Sequence, residues 1–498
     1  MATNPIPKLE AAPPFLAPEQ EVVFPNDFPL CVDMDGTLLR TDSLLEMWLS
    51  AARRSPVRCC SAFLDLFRGR NRFKCALAEI AIPRVNQLPY RREIFRLIER
   101  EASAGRTVVL ATGAPQAVAN AVAEYVGCFR EIISTDARVN LTGVRKANEL
   151  ESRFGKGRFY YAGNAAADIP AWRSSAGAVV VGSPGLGREL TASGIPLLAQ
   201  FSKQPISLRL LARSLRVHQW SKNLLVFLAI LLGHRFHDPA AWISATVLLI
   251  AMCLCASATY LLNDLADLDA DRSHAEKRNR PFASGALGLI YGFAGIPLLF
   301  FGAGVLSLFL PLPARLWLCA YLLLTVAYSF FLKEKLLVDV FVLAALYTLR
   351  VLAGGSATGI VISTWTLAFS MFLFLSLSLV KRYSELITAA PTSMALPRRN
   401  YYRSDLTMLG SLGTASGYIA VLVLALYIHS PEVSSLYRHP GLLWGVCALL
   451  AYWISRIWIF ANRSAIPGDP ILFALKDRIS YLVAALSAAV FLLAAWLP

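Results

Sequence analysis

The sequence predicts two domains of different fabric. An α/β domain with a doubly wound parallel sheet and a helical cap comes first. An all-α polytopic membrane domain of about nine transmembrane helices follows. Three observations predict this. From about Leu208, apolar runs of about 20 residues recur, each able to cross a ~30 Å hydrocarbon core. Before that point, short apolar strands alternate with helical patterns, as in a parallel sheet. Finally, the 498-residue chain has only 16% charged residues and a mean hydropathy of +0.51, whereas soluble domains carry about 25% charge.

Residues 1–26 are Pro-rich and polar and read as a disordered lead-in. They lack the basic and apolar regions of a signal peptide, so the N-terminus is expected to stay inside. Residues 27–190 form the α/β domain, with strands at Phe28–Val32, Thr107–Ala111, Arg158–Ala162 and Ala178–Val181. The stretch 43–104 shows no clear strand and reads as the cap, and 191–207 reads as a linker. Residues 208–498 form the membrane domain. Spans are expected near 222–233, 240–262, 286–310, 315–332, 336–355, 363–380, 406–429, 441–460 and 479–497, the first being short unless its helix begins near Leu208. Gly288, Gly292 and Gly295 form a small-residue stripe suited to close helix packing.

The formal charge is +15. In a membrane protein this points to basic cytoplasmic loops and anionic lipid headgroups rather than nucleic acid, with phosphorylated substrates next. The loops 263–285, 331–337, 381–404 and 461–478 are basic and the alternate ones nearly are not, which puts the basic loops and the N-terminal domain on the cytoplasmic side of the inner membrane. The nine cysteines lack CxxC or metal-ligand spacing and read as reduced or buried.

The most informative membrane segment begins Asn263-Asp264 and continues through Asp267, Asp271 and Arg272 to Lys277, Arg278, Arg280 and Pro281. The i, i+3, i+7 spacing puts Asp264, Asp267 and Asp271 on one helix face. Carboxylates stacked in this way repel, and oxygen ligands suit Mg²⁺ bridging to phosphates. Lys277 and Arg280 beside them suit a diphosphate. The pattern resembles the first motif of the UbiA superfamily of intramembrane prenyltransferases, over about 208–498. The family's second aspartate-rich motif is missing, since Lys381-Arg382-Tyr383-Ser384-Glu385 stands in its place. That pattern, Gln219-Trp220-Ser221-Lys222-Asn223, the stretch from Tyr328 to Lys333, Asp339, Arg350 and the stretch Ala474–Arg478 resemble the decaprenyl-phosphate phosphoribosyltransferase branch.

The resemblance implies transfer of 5-phosphoribose from phosphoribosyl diphosphate (PRPP) to polyprenyl phosphate, the opening step toward a lipid-linked arabinose donor. Lys222, Lys333, Lys381 and Arg382 would hold the 5-phosphate or the lipid phosphate. Gln219, Asn223, Asn263, Tyr328, Asp339, Tyr383 and Glu385 would line the substrate site. The lipid phosphate is already ionised near pH 7, so no general base is required. Oligomeric state is left open by the sequence.

In the soluble part, Asp33-Met34-Asp35-Gly36-Thr37 follows an apolar strand, and Thr112, Lys146 and Gly163-Asn164 with Asp168 follow in order. This resembles the haloacid dehalogenase superfamily of phosphotransferases over about 28–185. The resemblance implies Asp33 as nucleophile, Asp35 as acid and base, and Thr112 and Lys146 as phosphoryl ligands. Mg²⁺ would lie between Asp33, the Asp35 carbonyl, Asn164 and Asp168. Asn164 departs from the family's aspartate, removes one negative charge and should weaken Mg²⁺ binding. The expected whole is a bifunctional enzyme whose second site removes the 5-phosphate left by the first. The alternatives are a prenyl-diphosphate transferase with a regulatory phosphatase-like domain and a lipid-phosphate-binding scaffold. A transporter fits less well, because the carboxylates lie at the membrane surface.

Overall fold

The computed structural model describes residues 22–498, apart from 137–138, 204, 389–398, 431–432, 434–436, 467–468 and 497–498. Most of the expected lead-in and the centre of the 381–404 loop, with Arg398, therefore lie outside the described residues. The chain forms two compact units, one of residues 1–214 with 261–295 and one of 215–260 with 296–498.

The first unit is built on a six-stranded sheet. In chain order its elements are β1 (Leu30–Val32), α1 (Ser43–Arg54), α2 (Pro56–Ala62), α3 (Arg70–Ile80), α4 (Arg92–Ser103), β2 (Val108–Pro115), α5 (Gln116–Val126), β3 (Glu131–Thr135), α6 (Val144–Phe154), β4 (Tyr160–Gly163), α7 (Ile169–Ser174), β5 (Gly177–Gly182), α8 (Pro184–Ala192) and β6 (Leu197–Ser202). The strand order is β3-β2-β1-β4-β5-β6 with every pair parallel. Side chains alternate between two cores, as a sheet covered on both faces requires. Val32, Leu110, Ala162 and Val181 meet α1, α3, α4 and α5 on one side. Cys31, Val109, Tyr161 and Val180 meet α6 and α7 on the other. Two strands went unforeseen. β3 and β6 are edge strands, and β6 lies within the stretch read as a linker. The expected helical insert is α1 to α4, although α4 also buries Ile94, Phe95 and Ile98 in the same core as Val108 and Leu110. Leu261 to Gly295 belongs to this unit as well.

The chain then continues through α9 (Leu208–Ser214), a 3₁₀ helix at Val217–Phe227, α10 (Leu228–Leu232), α11 (Pro239–Ala266), α12 (Leu268–Ser273), α13 (Leu289–Ser307), α14 (Leu312–Phe330), α15 (Val338–Thr358), α16 (Thr364–Thr388), α17 (Leu406–Ile428), α18 (Trp444–Asn462), α19 (Pro470–Ala474) and α20 (Arg478–Trp496). Among the described residues eight helices are long and apolar enough to span a membrane. Leu298, Phe301 and Leu323 stand exposed on them, as lipid-facing side chains do. The chain is a multi-pass membrane protein. The ninth expected span is the short helix 217–232, which the left-handed Arg216 (φ 51°) separates from α9. Its 3₁₀ part rises ~2.0 Å per residue, so the short helix still covers roughly 30 Å. Of the glycine stripe, Gly292 and Gly295 approach Leu265 and Leu261 on α11, while Gly288 faces only its own neighbours. A stronger close approach was missed. A Cβ on Gly413 of α17 would lie 2.0 Å from Trp458 of α18.

Candidate active sites

The soluble motifs converge at the C-terminal edge of the sheet, where open α/β folds bind ligands. Asp33 follows β1, Thr112 lies within β2, Lys146 opens α6, and Asn164 and Asp168 follow β4. Lys146 Nζ donates to Asp33 Oδ1 at 2.7 Å and to the Tyr161 hydroxyl at 2.9 Å. Tyr161 donates in turn to Asp168 Oδ1 at 2.8 Å. Asp168 Oδ2 accepts from the backbone N–H groups of Asn164 and Ala165. Asp168 thus fixes the turn after β4, and its two oxygens are spoken for. Thr112 Oγ1 accepts from Ala114 N–H at 3.0 Å, inside its own strand.

Asp35 sits on the other side of the turn made by Gly36 (φ 74°). The backbone and hydroxyl of Ser43 each donate to its carboxylate at 2.8 Å. Burial, then repulsion from Asp42 and Asp33, pushes Asp35 up to about 7. Burial works against charge on Lys146, but Asp33 and Asp168 outweigh it and hold the ammonium above its ordinary range. Asn164 does not present its oxygen to Asp35. With the amide assigned by its hydrogen-bonding partners, its nitrogen donates to the Asp35 carbonyl at 3.0 Å and to Thr37 Oγ1 at 3.2 Å, while its oxygen accepts from Lys203 Nζ at 3.3 Å.

The aspartate segment departs from one continuous helical face. α11 ends at Ala266 and α12 begins at Leu268, with Asp267 at the break. The bonds Asp267 N→Asn263 O and Asp271 N→Asp267 O, both 2.8 Å, carry the helical path across it. Asp264 and Asp271, both buried, converge on one nitrogen of Arg280 at 3.2 and 2.6 Å. Asp267 and Asn263 are half-buried and Lys277 is exposed. Among the described residues no three histidines, cysteines or carboxylates are grouped as a metal centre.

In the second unit, the 3₁₀ helix at Val217–Phe227 carries half-buried Gln219 and buried Lys222 and Asn223. Lys222 pairs with Asp469, and Lys381 stands 3.7 Å from the same carboxylate. Burial opposes charge on Asp469, but Lys222 and Lys381 hold it below the ordinary carboxylate range. Asn223 accepts from Arg350 Nε at 2.8 Å, and Arg350 donates to Tyr321 at 3.2 Å. Tyr347 lies under both Lys222 and Arg350. Beside them, Tyr347, Lys381, Leu343 and Pro470 line a small recess. Arg350, Asp469, Tyr321 and Tyr347 belong to this cluster although none was assigned to the site from sequence.

Two assignments are corrected here. Arg382 and Asp339 were expected to meet substrate, yet neither side chain has exposed surface. Arg382 pairs with Asp339 at 2.6 Å and with Glu385, and Asp339 also accepts from Tyr401 at 2.6 Å. A guanidinium so enclosed ties α15 to α16 instead of binding a ligand. Tyr383 turns toward α18, donating to Asn462 at 2.7 Å. Tyr328 lies on α14, and Lys333 lies half-buried in the turn after it.

The UbiA prenyltransferase family matches residues 224–476, just over half of the chain. The chain belongs to that family. The haloacid dehalogenase-like hydrolase family matches residues 30–173, the stretch from β1 through Asp168. The Sinorhizobium fredii protein y4nM is 38% identical over 477 residues, which is 95% of this chain and 92% of its own length. That alignment runs through both parts. Nodulation protein NoeC of Azorhizobium caulinodans is 35% identical over 272 residues, 53% of this chain and 85% of its own. A decaprenyl-phosphate phosphoribosyltransferase of Mycolicibacterium smegmatis is 30% identical over 281 residues, 54% of this chain and 87% of its own.

This UbiA-family chain therefore joins a transferase domain to a hydrolase-type domain. Its donor atoms suit a hard divalent ion at two places. Asp264 and Asp271 already converge on a cation position filled by a guanidinium nitrogen. Asp33, the Asp35 carbonyl and the Asn164 amide form an all-oxygen set once that amide turns over. The hydrolase site also holds two ammonium groups that no motif announced. Lys203 follows the edge strand β6, and Lys74 comes from α3, where its Nζ donates to Gly113 O at 2.7 Å.

Proposed function

We propose that the chain is a bifunctional enzyme of the cytoplasmic membrane with its N-terminal domain inside. Its transferase would move 5-phosphoribose from PRPP to polyprenyl phosphate, and its hydrolase domain would then remove the 5-phosphate. The observation that carries the reading is the buried Asp264 and Asp271 pair closed on Arg280, a carboxylate pair ready to exchange an internal cation for one brought with a diphosphate.

In the transfer, a lipid phosphate oxygen attacks C1 of the ribose and the bond from C1 to the diphosphate oxygen breaks. Arg280, released from its carboxylates, pairs with the leaving diphosphate, and exposed Lys277 follows in the same segment. Lys222, Lys381 and Arg350 give the second unit a basic cluster suited to a substrate phosphate. Asn223 orients Arg350, and the Tyr347 ring backs the two cations. A divalent ion, when bound, supplies charge neutralisation on diphosphate and phosphoryl oxygens. Asp264 and Asp271, with Asp267 beside them, would hold it in the transferase, and Asp33, the Asp35 carbonyl and Asn164 would hold it in the hydrolase.

In the hydrolase, Asp33 attacks the phosphorus of the 5-phosphate and forms an aspartyl-phosphate. Asp35, its pKa raised to about 7, is poised to protonate the departing sugar oxygen and then to take a proton from the attacking water. Lys146, anchored by Tyr161, neutralises the phosphoryl oxygens, and Thr112 would donate to them. The relatives named decaprenyl-phosphate phosphoribosyltransferase support the donor and acceptor, and the hydrolase match supports the second step.

The test is incubation of the purified chain with PRPP, Mg²⁺ and polyprenyl phosphate, with mass spectrometry of the lipids. Polyprenyl-phosphoryl-ribose, diphosphate and orthophosphate are expected. No PRPP-dependent lipid, or consumption of a prenyl diphosphate instead, overturns the reading. Asn164 favours one second reading, in which the transferase stands but the hydrolase domain is regulatory. The lipid would then keep its 5-phosphate.

A further inference from the structure

We infer that helix α1 of the hydrolase domain is a brace for the transferase's aspartate segment, with Glu46 and Arg53 as positioning residues for Asp264 and Asp271. Its consequence for activity rests on the transferase reading above, but the contact itself does not.

Glu46 is buried in the first turns of α1 and takes Arg272 in a two-pronged ion pair, at 2.6 and 3.0 Å. Both side chains are almost fully enclosed, at 3% and 4% exposed. Thr41 donates to the same carboxylate at 2.7 Å, and Arg272 also reaches the Ala283 carbonyl at 3.2 Å. At the other end of α1, Arg53 pairs with Asp269 and donates to the Leu265 carbonyl at 2.8 Å. Leu265 lies in the last turn of α11, where a cation is favoured by the helix dipole. Around these pairs, Trp48 meets Phe293 edge-on at 4.7 Å, and Gln87 donates to Ser273 at 2.9 Å. A Cβ on Gly285 would come within 2.6 Å of the Arg40 side chain, so the two chain segments pack closely there.

The chemistry of the segment gives these contacts a purpose. Asp264, Asp267, Asp269 and Asp271 lie among Arg272, Lys277, Arg278 and Arg280, so many wrong pairings compete. Glu46 removes Arg272, the cation next to Asp271 in the chain. Arg53 removes Asp269. Among the three carboxylates and three cations that remain, Arg280 takes Asp264 and Asp271. Burying an ion pair adds little net stability, but it selects one arrangement strongly, because a lone buried charge is so costly. The start of α1 is fastened as well, since Ser43 holds Asp35. One helix therefore anchors the hydrolase's acid at its first residue and the transferase's aspartates along its length.

The experiment uses the full chain in nanodiscs. Hydrogen exchange is followed across 263–285, and transferase rate is measured against Mg²⁺. Glu46→Gln keeps shape and removes charge. Exchange across 263–285 should quicken by about tenfold or more. The Mg²⁺ needed for half-maximal transfer should rise about tenfold, with the rate at saturating Mg²⁺ within about twofold. The exchanged pair Glu46→Arg with Arg272→Glu should recover part of both, which a general packing defect would not. Arg53→Met, at a partly exposed position, should show the same pattern more weakly and serves if Glu46→Gln loosens the whole sheet. Unchanged exchange at 263–285 in both single variants overturns the brace. A wild type that makes no phosphoribosylated lipid overturns the transferase reading instead and leaves the exchange result to decide the brace.

Discussion

Lys146 and Arg280 answer carboxylates in two different ways. Lys146 is 6% exposed and is held by Asp33, Tyr161 and Asp168 at once. Arg280 is 30% exposed and touches Asp264 and Asp271 through a single nitrogen. The first cation is part of the site's framework, because nothing could replace it without stranding Asp33. The second suits a removable occupant, because nearly a third of its side chain is exposed. A site that holds one phosphoryl group through a covalent step suits a fixed charge. A site that admits and releases a diphosphate suits one that can swing away.

The largest effect tests the fixed half. Asp33→Asn should lower orthophosphate release by on the order of 10⁴-fold, with the initial rate of lipid formation within about twofold. Mass spectrometry should show the 5-phosphorylated lipid accumulating. Continued loss of the 5-phosphate would remove Asp33 from the reaction.

The comparison itself breaks or holds on two alanine variants. Lys146→Ala strands a buried carboxylate and should cost about 3 kcal/mol of stability, seen as a lower Tm with or without Mg²⁺. Arg280→Ala should lower transfer about a hundredfold, yet lower Tm only when Mg²⁺ is withheld. If Mg²⁺ rescues neither variant, the carboxylate pair does not take the ion.

A smaller change sharpens the hydrolase half. Asn164→Asp cannot donate to the Asp35 carbonyl and adds a charge facing Lys203. The Mg²⁺ for half-maximal phosphatase should fall about tenfold, the equivalent of about 1.4 kcal/mol. A requirement that is unchanged or higher would mean the site is built around the neutral amide.

Asp33, Asp35, Lys146 and Asp168 were named from sequence because they stand in the motif order of a family the chain resembles, and the structure gathers Asp33, Lys146 and Asp168. Both members of the pair on Arg280 were also named from sequence. What was hidden is long-range. Lys222 meets Asp469 across 247 residues and Glu46 meets Arg272 across 226, and no local pattern announces either pair. Arg382 misled for a related reason. A basic residue at the end of a span, beside an expected phosphate site, reads as a phosphate ligand until Asp339, on another helix, is seen to enclose it. β3 and β6 were missed because edge strands are only partly covered and so need no continuous apolar run. The first span was mismeasured because a 3₁₀ stretch crosses more distance per residue than the α-helix assumed.

The smallest expected effect concerns Lys74, which no motif pointed to. Its stem rises from α3, and its ammonium donates to Gly113 O, next to Thr112. Burial lowers its pKa, while Asp35 and Asp42 pull the other way. With Lys146 and Lys203 it brings the ammonium groups around Asp33, Asp35 and Asp168 to three among the described residues. A lone phosphomonoester is already served by Lys146, Thr112 and a divalent ion, so a further ammonium on the cap side suits a second anionic group on the same substrate. The phosphodiester of a polyprenyl-phosphoryl-5-phosphoribose is such a group. Lys74→Ala should therefore raise KM for that lipid about tenfold, the worth of one charge-assisted hydrogen bond, with kcat within about twofold. The same variant should hydrolyse p-nitrophenyl phosphate, which has no second anion, with KM unchanged. An equal loss on both substrates would make Lys74 a support for the turn at Gly113. No loss on either would put it outside the substrate's reach, and the reason for a lipid-linked substrate would then have to come from Lys203 alone.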